Sequence, residues 1–136
     1  MMPRSQMLFT AVLAVAACAS AQSDKAARGK YLVEEVARCQ ECHTPKLADG
    51  AFDQEKWLKG MVLPVQPIEP IKGWHKTSPD LTPSGRLWSR WKEAGLLNYL
   101  KTGLTPTGKK AEPPMPTYTM RADDAEAVVE YLKTLK

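Results

Sequence analysis

Cys39-Gln40-Glu41-Cys42-His43 is the stretch whose reading decides the fold. It has the form Cys-x-x-Cys-His, the attachment sequence of a c-type haem. Two thiols at this spacing add across the haem vinyl groups as thioethers. The imidazole that follows directly stands under the iron as the proximal ligand. Cys-x-x-Cys alone would also suit a redox disulfide or half of a zinc site. A zinc ribbon needs a second ligand pair, and none follows. The chain has three cysteines and two histidines, the other His is His75, and the remaining Cys18 precedes the motif.

The rest of the composition agrees. At 136 residues the chain is one domain, and 43% hydrophobic residues suffice for a small core. A covalent haem would enlarge that core. The net charge of +4 is mild, with basic and acidic residues interleaved, so nucleic acid is not an expected partner.

The first residues read as a targeting segment. Arg4 supplies a positive start, Met7 to Ala17 is apolar or small, and Ala19-Ser20-Ala21 fits a cleavage site. Residues 1–21 are thus a signal peptide, and 22–136 the domain. Val15-Ala16-Ala17-Cys18 also resembles a lipobox, which would make 1–17 a lipoprotein signal and Cys18 the lipidated first residue. The pattern favours ordinary cleavage. Both readings export the protein to the periplasm, and only lipidation at Cys18 would tie it to a membrane.

The expected order is helix, long loop, helix, loop, helix. The first helix spans Asp24 to about Arg38, with Gly29, Leu32, Val33 and Val36 as its apolar stripe and Asp24 at its start. From Thr44 to about Pro83 the prolines preclude long regular elements, and Asp53 to Lys59 forms a short turn. A loop this long in a small domain suits a wrap around a cofactor. Leu87 to Trp91 is a turn. Glu93 to Thr102 is a helix that turns Leu96, Leu97 and Leu100 inward and stops at Gly103. The last helix starts near Ala122, with Asp123 and Asp124 at its positive end and Val128, Tyr131, Leu132 and Leu135 facing in.

A second axial ligand must be Met or His. Met115 is the first candidate, because Pro113-Pro114-Met115-Pro116 is a stiff backbone that holds a thioether in place. Met61 and Met120 read as core filling, and His75 as a partly exposed side chain. Ligation by His75 would make a bis-His site of lower potential.

These residues together resemble a class I cytochrome c, most closely the haem subunits and domains that accompany periplasmic dehydrogenases. The resemblance runs from Gly29-Lys30-Tyr31-Leu32 through the haem motif and Thr44. It continues through Ser78-Pro79-Asp80-Leu81-Thr82-Pro83, Trp91-Lys92-Glu93 and Leu100-Lys101-Thr102-Gly103. It closes with Pro113-Pro114-Met115-Pro116 and Asp124 to Leu132. It implies an all-α cytochrome c fold in which the N- and C-terminal helices cross at Gly29 and Tyr131, and in which loops and a middle helix wrap one covalent haem c. It implies cofactor binding by Cys39, Cys42, His43 and Met115, with His43 proximal and Met115 distal to the iron. A loop proline should orient His43 through its carbonyl, and Pro45, Pro64, Pro67 and Pro70 are all open for that role. Trp74, Trp88 and Trp91 would be haem-pocket or core residues, and a Trp N–H commonly meets a propionate.

The implied function is one-electron transfer between redox proteins, a dehydrogenase donor and an oxidase or cytochrome acceptor, with no catalytic residues. The alternative is a haem enzyme or gas sensor with an open distal side, peroxidase-like or nitric-oxide binding. That would need a distal acid/base group, and no distal His-Arg pairing accompanies Met115. Lys46, Lys109 and Lys110 are the candidate docking charges.

Overall fold

The computed structural model describes residues 21–136. The expectations for the leader, including Cys18, fall outside the described residues. Among the described residues four α-helices carry the fold: α1 over residues 21–31, α2 Gln40–His43, α3 Arg86–Thr102 and α4 Ala122–Lys133. Among the described residues, extended pairing is confined to isolated bridges, such as Val62 with Thr77. No described helix is long and apolar enough to cross a membrane. The chain is all-α, as expected.

Helix α1 passes into a π turn at Leu32–Val36. The wider turn slips the apolar stripe, and this corrects the sequence reading at Val36. Leu32 and Val33 are buried, but Val36 is 58% exposed. Asp24 is not a cap either, since residues 21–23 before it are already helical. Arg38, with φ 52°, ends the run and turns the chain into the haem motif.

Helix α4 crosses α1 at Gly29. A Cβ built on Gly29 would lie 1.8 Å from the Ala127 carbonyl oxygen and 2.8 Å from Tyr131 Cβ. The two backbones therefore touch, and only glycine fits there. Around the crossing Leu32, Val33, Leu58, Ala127, Val128, Tyr131 and Leu132 form one buried cluster, with Met120 and Leu135 packed on its edge. The exposed pairs Lys25–Glu126 at 2.6 Å and Arg28–Asp124 at 3.0 Å flank it. Pairs of this kind contribute little.

Tyr131 also ties three segments together. Its hydroxyl donates to the Glu34 carboxylate and accepts from Trp57 Nε1 at 3.1 Å. Burial, then the bond to Glu34, pushes its pKa up to about 12.

Helix α3 is broken at Lys92, whose φ of 57° and ψ of 175° are non-helical. This is the division expected between the Leu87–Trp91 turn and the helix from Glu93. Gly103 closes α3 in the left-handed conformation, its N–H donating to the Tyr99 carbonyl at 2.7 Å. Leu96 is buried and Leu100 packs on the core edge. The short turn expected after Asp53 is a 3-10 helix, Gln54–Lys56, capped by the Asp53 carboxylate.

Candidate haem site

The motif Cys39–His43 is one turn of helix. Cys39 stands at the N-cap of α2, and the His43 N–H donates to the Cys39 carbonyl at 2.9 Å. A bond from Cys39 N–H to the Val33 carbonyl at 2.9 Å hangs this turn from the π turn that follows α1. The thiols are not joined in a disulfide. Burial pushes the Cys39 thiol up to about 11, so it stays protonated, while Cys42 is exposed. Among the described residues no three His, Cys, Asp or Glu side chains converge as a metal-ligand group.

His43 is 4% exposed. Its Nδ1 lies 2.8 Å from the Pro79 carbonyl oxygen. A carbonyl only accepts, so Nδ1 carries the proton, and in the neutral ring the lone pair is on Nε2. Burial holds its pKa below the ordinary histidine value and keeps the ring neutral, opposed only by the bond to Pro79. A neutral imidazole whose far nitrogen donates to a carbonyl is the form in which histidine ligates a metal.

Pro79 corrects the expectation that Pro45, Pro64, Pro67 or Pro70 would orient the histidine. The chosen proline lies 36 positions along the chain from His43. The intervening loop doubles back and places Ser78–Leu81 beside the motif. Residues 58–61 bridge the two. Leu58 N–H donates to Thr44 Oγ1 at 2.9 Å, and its carbonyl accepts from Leu81 N–H at 2.8 Å. Gly60 N–H donates to the His43 carbonyl at 2.8 Å. Met61 and Ser78 exchange backbone and hydroxyl bonds at 2.9–3.4 Å. Thr44 and Leu58 are fully buried.

The segment that carries Met115 is held from two sides. The Tyr99 hydroxyl donates to the Pro116 carbonyl at 2.7 Å, and Met120 N–H donates to the Leu100 carbonyl at 2.9 Å. At the other end of the segment, His75 N–H donates to the Pro113 carbonyl at 2.8 Å. Met115 is half-buried and stands outside the core cluster, whereas Met120 packs against it, as its core reading expected. Met61 is half-buried with its backbone bound to Ser78. His75 is exposed, its Nε2 paired with Glu112 at 2.6 Å.

The tryptophans divide by their N–H groups. Trp57 donates to Tyr131, and Trp88 donates to the Leu81 carbonyl at 2.7 Å. Trp74 Nε1 is buried and has no acceptor. Beside Pro79 a cavity of about 270 Å³ is lined by Pro79, Arg86, Leu87, Arg90 and Trp91. A neutral imidazole one residue after two thiols on a single turn, and a buried indole N–H on Trp74 without an acceptor, suit a group that carries a metal and carboxylates. The residues present therefore fit haem.

Three site residues had no signal in the sequence reading. Pro79 acts through its carbonyl, which leaves no mark on the sequence. Gly60 lies in a loop without periodicity. Tyr118, its pKa pushed up to about 12 by burial and then by the nearby Cys39, lies close to the motif only through the fold. Of the three lysines, Lys46 is committed elsewhere, 3.1 Å from Glu41 and over the Phe52 ring.

The chain is also similar to known proteins. The family model described as Cytochrome c matches residues 26–136. A "Diheme cytochrome c-type" protein of Cereibacter sphaeroides is 33% identical over 78% of this chain and 34% of its own length. The "Fructose dehydrogenase cytochrome subunit" of Gluconobacter japonicus is 32% identical over 79% of this chain and 21% of its own. The "Gluconate 2-dehydrogenase cytochrome c subunit" of Pantoea cypripedii is 32% identical over 85% and 27%. The chain thus spans about a third or less of the length of these relatives.

Proposed function

The chain belongs to the cytochrome c family, and on that premise we propose that it is a periplasmic electron carrier with one haem c, held by Cys39 and Cys42 and ligated by His43 and Met115. Family membership implies covalent haem c and electron transfer. When bound, haem c supplies a one-electron iron couple. The observation that carries the reading is the buried, neutral His43, its Nδ1–H fixed on the Pro79 carbonyl, one residue after Cys42.

Each residue has a task in this scheme. Cys39 and Cys42 tether the cofactor. His43 presents Nε2, and Pro79 sets the tautomer and the ring orientation. Met115 stands on a segment that Tyr99 and His75 hold in place. Met120 packs in the core and His75 pairs with Glu112, so Met115 and Met61 remain as half-buried methionines, and the resemblance of Pro113-Pro114-Met115-Pro116 favours Met115. A His/Met pair leaves no open position for oxygen, peroxide or nitric oxide, which supports a carrier over an enzyme or sensor. Arg86, Arg90 and Trp74 offer donors to carboxylates.

Two of the relatives are named as cytochrome subunits of dehydrogenases, so we place this chain between a dehydrogenase donor and an oxidase or another cytochrome. Export rests on residues 1–21, with Cys18 as the anchor if the lipobox is used.

The test is a pair of variants of the haem-loaded protein. Met115→Ala should abolish the red-edge thioether–iron band of the oxidised form and open the reduced form to carbon monoxide. Met120→Ala should keep the band. The reverse result would reassign the ligand to Met120.

A further inference from the structure

Residues 58–61 form a spacer between the haem motif and the Pro79 segment. Gly60 is its thinnest point. On one face its N–H holds the His43 carbonyl at 2.8 Å. On the other face it meets bare backbone. A Cβ built on Gly60 would lie 2.5 Å from the Ser78 carbonyl oxygen, 2.8 Å from Pro79 C and 3.0 Å from Asp80 N. Flexible side chains could swing away from such a Cβ; peptide planes cannot do so without moving the segment. Gly60 also has φ +82°, a conformation that strains any residue with a side chain.

We propose that Gly60 is a positioning residue that sets the hydrogen bond between His43 and Pro79, and through it the redox balance of the iron site. The proposal rests on the reading of His43 as proximal ligand. The Pro79 carbonyl reaches Nδ1 at 2.8 Å because no side chain separates residue 60 from the peptides at 78–80. Any side chain there pushes those peptides, and the Pro79 carbonyl with them, away from the ring. Donation from Nδ1–H makes an imidazole a more basic ligand, which favours ferric iron. A longer bond withdraws that support and favours ferrous iron. Ser78 secures the far side of the spacer, since its Oγ takes the Met61 N–H at 3.0 Å.

The experiment uses the haem-loaded full chain. The reduction equilibrium is measured by spectroelectrochemistry, and the His43 Nδ1–H is followed by NMR in the reduced state. Gly60→Ala should raise the reduction equilibrium constant about fivefold, the weight of one ordinary hydrogen bond, and move the Nδ1–H resonance toward that of a weaker bond. Gly50→Ala is the control for backbone strain alone: Gly50 has φ +88° and nothing within 4 Å of a built Cβ. It should change neither reading. If Gly60→Ala does not fold, Ser78→Ala carries the test, with a shift of the same sign and smaller size.

Unchanged equilibrium and resonance in the folded variant, or an equal shift in Gly50→Ala, would overturn the proposal. Wild-type protein that binds no haem covalently would instead overturn the underlying reading, and the proposal with it.

Discussion

The crossing of α1 and α4 and the junction beside His43 are both close approaches that glycine permits. At the crossing, Gly29 lets the Ala127 carbonyl come within 1.8 Å of where a Cβ would be. At the junction, Gly60 admits the Ser78 carbonyl to 2.5 Å of the same point. The first is surrounded by buried apolar side chains, the second by backbone hydrogen bonds. The crossing therefore fixes whether the fold forms, and the junction fixes how the site is tuned. The same residue type serves stability in one place and chemistry in the other.

The comparison breaks most readily at Gly29. Gly29→Ala should cost about 3 kcal/mol or more, because two helix backbones must separate and the core between them opens. Urea unfolding of the haem-loaded protein measures it. A cost below about 1 kcal/mol would mean that the crossing is loose. In the variant molecules that remain folded, the redox equilibrium should match the wild type, the converse of Gly60→Ala.

Tyr131→Phe should cost about 2 kcal/mol, since it leaves Trp57 Nε1 and Glu34 without their shared partner. It has a pH signature. The folded-state pKa of Tyr131 is raised from 10 to about 12, so its contribution is complete below pH 10 and is lost as pH rises through 12. Wild type should therefore lose more stability than Tyr131→Phe across that window. Parallel stability curves would show that the hydroxyl is not held as described.

The smallest effect belongs to the surface. Electron-transfer encounters are small and transient, and charge acts mainly on their on-rate. With Lys46 engaged by Glu41, Lys109 and Lys110 remain as candidate steering charges. Reversing both should slow electron transfer with an acidic partner by a few fold at low salt and flatten its salt dependence. An unchanged rate and slope would leave docking to apolar contact alone.

Much of the helical frame was legible in the sequence, because helices announce themselves by period. Gly29, Leu32, Val33, Val128, Tyr131 and Leu132 fall at helical spacings, and Gly103 stops α3 where a stop was expected. The reading failed at Val36, because a π turn shifts the register without changing residue types. In the candidate site, the motif was legible since the chemistry of Cys39, Cys42 and His43 is local. The support of His43 was not. Pro79 acts through a carbonyl, which every residue has, and its distance along the chain is set by a loop without period. Gly60 and Leu58 act through backbone groups for the same reason. Tyr99 and His75 grip the Met115 segment through the carbonyls of Pro116 and Pro113, contacts that only the fold reveals.

The most direct test of the account is the intact mass of the purified, haem-loaded protein after acid-acetone extraction. The account predicts one haem retained per chain, through two thioethers that Cys39→Ala with Cys42→Ala together abolish. Haem that extracts freely from the wild type, or that survives extraction in the double variant, would contradict it.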